Sequence, residues 1–139
     1  MKAKFVYVGI RVTDLQKSIE FYTKLLGMKV TNRRKFVHWD GEIVNLESEN
    51  GNVYLELNYY EPGSRFDTEY LVGEGLDHLA FTVENLDQTL EEARSLGYPI
   101  VLELKDESFN IQGNRWAYVE DPNGIWIELF TPSSADALY

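Results

Sequence analysis

The chain contains an internal repeat with a period of about half its length. Residues 7–15 (YVGIRVTDL) resemble residues 78–86 (HLAFTVENL) at an offset of 71, and residues 53–57 (VYLEL) resemble residues 125–129 (IWIEL) at an offset of 72. Similarity at a fixed period indicates that one supersecondary unit is used more than once. Because there are two copies only, the repeat predicts a paired domain and not a solenoid.

Length and composition narrow the class of protein. With 139 residues, 44% of them hydrophobic, the chain is long enough to bury one core. Its net charge of −10 argues against binding to nucleic acid or to an anionic membrane. The absence of cysteine excludes disulfides, thiolate ligands and cysteine nucleophiles. Without an apolar run of about 20 residues or a signal-peptide pattern, we expect a cytoplasmic protein with a small-molecule partner.

The first half predicts the element order β-α-β-β-β. Thr13 or Asp14 can cap a helix that Gly27 ends. The dipeptides Asp40-Gly41 and Asn50-Gly51 are typical of hairpin turns between strands. Strands are predicted at residues 5–12, 28–37, 42–47 and 52–58, and a helix at residues 15–26.

The second half predicts the same order after a linker or lid. Asn85 can cap its helix, Gly97 ends it, and Pro122-Asn123-Gly124 forms a turn before the last strand. Strands are predicted at residues 76–83, 100–104, 115–120 and 125–130, and a helix at residues 86–96. The prediction is a single α+β domain of two βαβββ modules, residues 5–58 and 76–131, joined by the linker 59–75.

Strand alternation predicts a metal site. The repeat gives His78 and two carboxylates, Glu56 and Glu128, related positions on strands whose other faces are aliphatic. A carboxylate between Trp126 and Phe130, on a strand with no other charge, is costly to bury unpaired. A divalent cation would offset that cost and relieve the repulsion between the two glutamates.

Three segments carry a resemblance to a known superfamily. They are residues 11–28, with Arg-Val-Thr-Asp-Leu, Phe-Tyr and Leu-Leu-Gly-Met, residues 76–81 (LDHLAF) and residues 121–128 (DPNGIWIE). The chain resembles the vicinal oxygen chelate superfamily of glyoxalases, bleomycin-resistance proteins and dioxygenases over residues 5–131, and most of all glyoxalase I-like proteins. The resemblance implies two βαβββ modules that form one or two cup-shaped sheets.

The resemblance also implies a ligand set. Glyoxalase I holds its metal with one residue from each of the first, fourth, fifth and eighth strands. Glu56, His78 and Glu128 match three of them, while Tyr7 stands where the family has His or Gln. A divalent cation (Ni, Zn, Co, Mn or Fe) is therefore expected. Glu128 and then Glu56 are the expected catalytic carboxylates.

A substrate pocket is expected next to these ligands. The expected substrate-binding residues are Tyr7, Arg11, Tyr54, Trp126 and Phe130. Where glyoxalase I has residues that contact glutathione, this chain has Glu74 and Tyr60. We therefore expect a substrate with adjacent oxygens and no dependence on glutathione.

The function predicted first is a metal-dependent glyoxalase-like enzyme that transfers a proton beside a carbonyl group. The alternatives are a metal-free binding protein of the bleomycin-resistance type, an epimerase, a thiol transferase and an extradiol dioxygenase. The dioxygenase needs two His and one carboxylate, which Tyr7 disfavours. A homodimer is expected, with its cleft built either within one chain or across two.

Overall fold

The computed structural model describes residues 6–36, 40–49, 51, 53–64, 66–73, 76, 78–103 and 115–131. The chain divides into two compact units, Met1–Tyr70 and Leu71–Tyr139, called the first and second unit below. Among the described residues, neither helix has the length and apolar character needed to cross a membrane.

The first unit has the predicted order of elements. Its strands are β1 (Tyr7–Val12), β2 (Lys29–Phe36), β3 (Gly41–Glu47) and β4 (Tyr54–Tyr60), and its helix is α1 (Leu15–Glu20). The sheet order is β1-β4-β3-β2, in which β1 runs parallel to β4 and the other pairs are antiparallel. Helix α1 lies on the connection that leads from β1 to its parallel partner β4. It packs on β4 and so covers one face of the sheet.

Strand alternation divides this sheet as predicted. Ile10 and Val12 of β1 and Leu55 and Leu57 of β4 are buried on the face that carries α1. The opposite face is called the helix-free face. It carries Tyr7, Gly9 and Arg11 from β1, Tyr54, Glu56 and Asn58 from β4, and Asn45 from β3.

The first helix is shorter than the predicted range 15–26. Its cap is Asp14, whose Oδ1 accepts a hydrogen bond from the backbone three residues later at 3.0 Å. The α-helix ends at Glu20, and one π-helical turn, Phe21–Leu25, follows. Consecutive residues of an α-helix point about 100° apart. The π-helical turn is wider, and both Phe21 and Tyr22 are fully buried in it.

The second unit repeats this arrangement. Its elements are β5 (His78–Thr82), α2 (Leu86–Ser95), β6 (Ile100–Glu103), β7 (Arg115–Glu120) and β8 (Trp126–Thr131). The sheet order is β5-β8-β7-β6, with β5 parallel to β8. Helix α2 packs on β6, β7 and β8. The α+β class and the two βαβββ patterns are thus confirmed.

Helix α2 begins at the predicted residue and ends at Ser95, one residue before the predicted end. Asn85 Oδ1 accepts the backbone N–H of Gln88 at 3.0 Å. At the other end Gly97 has φ +81°, and the N–H of Tyr98 donates to the carbonyl of Ala93 at 2.9 Å. This is the Schellman arrangement, which satisfies carbonyl groups that the end of the helix would leave unpaired.

Several strand ends differ from the predicted ones. Strand β4 continues to Tyr60, two residues past the predicted end, because β3 begins early enough to pair with both extra residues. The first residues of the predicted linker 59–75 therefore belong to a strand. Strand β5 is shorter than the predicted range 76–83. The predicted strand residues Phe5, Val37, Asn52 and Leu104 lie outside the described part of the chain.

The turn before β8 is built around one buried carboxylate. Asp121 is 3% exposed, and its Oδ1 accepts the N–H groups of Asn123 and Ile125, each at 2.8 Å. Its Oδ2 accepts the side-chain amide of Asn123 at 2.8 Å. Gly124 has φ +80°, and a Cβ there would come within 2.7 Å of Val72. The turn therefore requires both Asp121 and Gly124, and it fixes where β8 starts.

We expect Asp121→Ala to lower the free energy of unfolding by about 2–3 kcal/mol, because three donors lose a charged acceptor in a buried site. Asp121→Asn keeps one oxygen acceptor and should cost less. Urea denaturation measures both, and Glu92→Gln on the exposed side of α2 is the control. A loss below about 0.5 kcal/mol for Asp121→Ala would contradict this role of the turn.

Candidate functional site

Glu56 is a buried acid at the centre of the helix-free face of the first unit. It lies between Leu55 and Leu57, which point to the other side of β4, and it is 9% exposed. Within the described residues its carboxylate has no hydrogen-bond or ion-pair partner. Across the β3–β4 pair lies Asn45, whose Oδ1 is also buried without a partner there. A carboxylate beside a buried amide oxygen that lacks a donor forms an acceptor-rich site, which favours a cation.

The carboxylate of Glu56 has room because the facing residue of β1 is Gly9. The register pairs Gly9 with Glu56. A Cβ built on Gly9 would lie 3.7 Å from Glu56 Oε1 and 3.1 Å from Asn58 Nδ2. A larger side chain at this position would therefore displace the acid or the amide.

Two predicted pocket residues form an aromatic wall beside Glu56. The rings of Tyr7 and Tyr54 are stacked, with centroids 4.9 Å apart and planes at 17°. Tyr7 is 41% exposed, so one face of this pair is accessible. The structure therefore places Tyr7 against another aromatic ring, a position that suits the wall of an apolar pocket.

Arg11 is engaged within its own unit. Its Nη2 forms an ion pair with Asp67 Oδ1 at 2.8 Å. Its Nη1 donates to the carbonyl oxygen of Thr68 at 2.6 Å and to the Thr68 hydroxyl at 3.1 Å. The guanidinium also lies 5.7 Å from the ring centre of Tyr60. Arg11 thus ties the segment after β4 to the helix-free face.

The segment after β4 is acidic. Tyr59 donates to Glu61 Oε2 at 3.4 Å. Burial raises the pKa of the Tyr59 phenol above its ordinary value, and the negative charges of Glu61, Asp14 and Asp67 raise it further. The electrostatic potential around this segment is therefore negative.

His78 and Glu128 form the corresponding polar centre of the second unit. His78 Nε2 lies 2.9 Å from Glu128 Oε2, and the side chains are 32% and 15% exposed. The register puts Ala80 opposite Glu128, so a small residue again faces the acid. The small side chain leaves space for the diagonal contact between the imidazole and the carboxylate.

Tyr118 and Trp126 surround this pair with aromatic rings. Tyr118 lies directly across from Glu128 in the β7–β8 register. Its ring meets His78 edge-on at 5.7 Å and 86°, and it lies 5.8 Å from the ring of Trp126, which is 43% exposed. The backbone of Phe130 belongs to β8, but its side chain lies outside the described part of the structure. Glu74 and His38 also lie outside the described residues.

Each unit contains only some of the predicted metal ligands. Among the described residues, no group of three or more His, Asp or Glu side chains forms a metal site. The predicted set draws Glu56 from the first unit and His78 with Glu128 from the second. The 2.9 Å between the imidazole and carboxylate atoms suits two ligands that share one cation. Within each unit taken by itself, the side chains offer the oxygen and nitrogen donors that a divalent cation prefers.

Sequence reasoning missed Asn45, Asp67 and Tyr118. Asn45 lies between the buried residues Val44 and Leu46. A polar residue inside such a strand was a usable signal. Tyr118 alternates with buried neighbours on β7 and had the same signal. Asp67 had none, because it lies in an irregular segment 56 residues from Arg11.

Comparisons with known proteins agree with this architecture. The family model of the Glyoxalase/Bleomycin resistance protein/Dioxygenase superfamily matches residues 4–129. A lactoylglutathione lyase of Salmonella typhimurium is 31% identical over 137 residues, which cover 95% of each chain. A lactoylglutathione lyase of Arabidopsis thaliana is 30% identical over 128 residues, which cover 91% of this chain and 43% of that protein. This chain therefore spans less than half the length of that plant relative.

A solved structure gives the same result. The trypanothione-dependent glyoxalase I of Leishmania major matches with a TM-score of 0.73 and 28% identity, covering 94% of this chain and 87% of that one. The chain belongs to the glyoxalase/bleomycin resistance protein/dioxygenase superfamily, as its sequence predicted. The names of these relatives support the prediction of an enzyme of the lactoylglutathione lyase kind.

Proposed function

We propose that this protein is a metal-dependent enzyme of the glyoxalase I type, which moves a proton beside the carbonyl group of a small substrate with adjacent oxygens. The observation that carries the proposal is the contact between His78 Nε2 and Glu128 Oε2 at 2.9 Å, on a face lined by aromatic rings. The relatives named as lactoylglutathione lyases support the reaction class.

His78 and Glu128 are the proposed ligands from the second unit. Glu56 is the ligand proposed from the first unit, on the sequence match and on its lack of a partner among the described residues. A divalent cation held by these groups would polarise two adjacent substrate oxygens as a Lewis acid. Tyr7, at the family's first ligand position, is assigned to the pocket wall because it stacks on Tyr54.

Glu128 is the first candidate for the proton-transfer group. Oε2 is held beside the imidazole of His78, whereas Oε1 has no hydrogen-bond partner among the described residues. Oε1 is therefore the atom that would accept a proton from the substrate and return it to the neighbouring carbon. The Glu128 side chain is 15% exposed, so most of it is shielded from solvent.

The proposed metal site predicts the metal content of the purified protein. We expect about one divalent cation per chain after purification without a polyhistidine tag. His78→Ala and Glu128→Gln should each lower metal affinity by 10-fold or more, since each removes a ligand. Inductively coupled plasma mass spectrometry measures the occupancy, and Glu92→Gln is the matched control.

Glu56→Gln tests the third ligand separately. A loss of metal affinity comparable to that of Glu128→Gln would support the three-residue set. Equal occupancy in the wild type and in all three ligand variants would contradict the metal site. In that case, tight binding of a planar cationic drug by the metal-free protein would favour the alternative of a sequestering protein.

The reaction predicts turnover of a methylglyoxal hemithioacetal when Ni, Zn, Co or Mn is supplied. We expect Glu128→Gln to lower kcat by about 10²–10⁴-fold, because the group that transfers the proton is lost. Absorbance of the thioester product measures the rate, with Glu92→Gln as the control. No turnover with any of the four metals and any thiol would refute the glyoxalase assignment.

A homodimer is also proposed, because closed symmetric dimers are the commonest assemblies of soluble enzymes and members of the family commonly form them. Light scattering at micromolar concentration should give the mass of two chains of 16.1 kDa each. A mass of one chain would refute the dimer.

A further inference from the structure

Both terminal nitrogens of Arg11 already bind groups of the protein itself. Arginine recognises a carboxylate with two parallel N–H groups, and its fixed fork makes that geometry specific. In this protein Nη2 binds Asp67 at 2.8 Å, and Nη1 binds Thr68 twice, at 2.6 and 3.1 Å. An incoming carboxylate would have to displace Asp67 or share with it a guanidinium whose positive charge is already paired.

Asp67 is held in place independently of Arg11. Its Oδ2 accepts the backbone N–H of Gly63 at 2.9 Å, and its own N–H donates to the carbonyl of Ser64 at 3.0 Å. The ring of Phe66, next to it, packs 5.5 Å from Tyr60 at the end of β4. Displacing Asp67 would break these contacts as well as the ion pair, so the protein's carboxylate competes strongly.

The net charge around Arg11 in the first unit determines which substrate groups can bind there. Arg11 is cancelled by Asp67, and the buried carboxylate of Glu56 lies on the same helix-free face. A substrate carboxylate would therefore meet net negative charge, whereas an uncharged group would meet the exposed ring of Tyr7, which stacks on the half-buried ring of Tyr54.

We propose that Asp67 determines the substrate class of this site: by occupying Arg11, it excludes thiol adducts with a carboxylate at this end and admits those without one. The inference rests on the proposed function, because it describes the thiol part of the same substrate. It assigns Asp67 as a specificity residue that acts through Arg11 and touches no reacting atom.

The test compares two unreactive thioethers in the metal-free protein. S-hexylglutathione carries two carboxylates, and S-hexyl-N-acetylcysteamine carries none. Isothermal titration calorimetry at fixed salt measures the Kd of each. We expect the wild type to bind the uncharged compound at least about tenfold more tightly. Tighter binding of S-hexylglutathione by the wild type would overturn the proposal.

Asp67→Asn should remove the competition while its amide oxygen still accepts the Gly63 N–H. We expect about a tenfold lower Kd for S-hexylglutathione, the size of one hydrogen bond to a charged group, and less than a twofold change for the uncharged compound. Asp67→Ser serves as a second variant, and thermal unfolding verifies that each variant folds.

Glu61→Gln is the matched control, because it removes one negative charge from the same segment without touching Arg11. An equal gain in Asp67→Asn and Glu61→Gln would mean a general charge effect and would overturn the proposal. Arg11→Gln combined with Asp67→Asn should abolish the gain, since the freed guanidinium is the cause of it. Persistence of the gain in the double variant would count against Arg11 as the anion-binding group.

Turnover separates this inference from the proposed function. If no hemithioacetal reacts but Asp67→Asn gains affinity as stated, the enzyme assignment fails and the specificity role stands. If hemithioacetals react but Asp67→Asn leaves the Kd of S-hexylglutathione unchanged, the specificity role fails and the enzyme assignment stands.

Discussion

The parallel pairing of the first and last strands within each unit is the constraint on which the candidate site depends. This register sets Glu56 opposite Gly9 and Glu128 opposite Ala80. Each acid faces a residue with little or no side chain, which leaves space for the carboxylate. A shift of register by one residue would turn each acid into the aliphatic layer beneath its helix, where an unpaired charge is prohibitively costly.

The two units use the same scaffold for different chemistry. In the first unit the acid has a buried amide oxygen, Asn45 Oδ1, as its neighbour across β3. In the second unit the corresponding strand contributes Tyr118, and the acid contacts His78. One half therefore concentrates acceptors without donors, and the other holds a histidine–carboxylate pair among aromatic rings. Such divergence between duplicated halves is how one fold supports many reactions.

Much of the fold could be predicted because its signals are local. Alternation along β1 and β4, the caps at Asp14 and Asn85, and the left-handed glycine that follows each helical segment, Gly27 or Gly97, are all decided by neighbours in sequence. The failures have physical causes. The first helix changes to a π-helical turn because two adjacent aromatics are both buried, which helical periodicity alone does not anticipate. Strand β4 runs on to Tyr60 because a partner strand, not its own propensity, sets its length.

The sequence by itself determined the superfamily, the class of fold, and the strand faces on which Glu56, His78 and Glu128 lie. The superfamily follows from the resemblance of three segments to a known family. The fold class and the strand faces follow from the repeat and from a side-chain period of two, which need no knowledge of distant contacts. Only the tertiary structure decided which side chains meet: His78 with Glu128, 50 residues apart, and Arg11 with Asp67, 56 residues apart. No local pattern specifies such pairs, because chain folding brings them together and the energy of an ion pair depends on distance and burial.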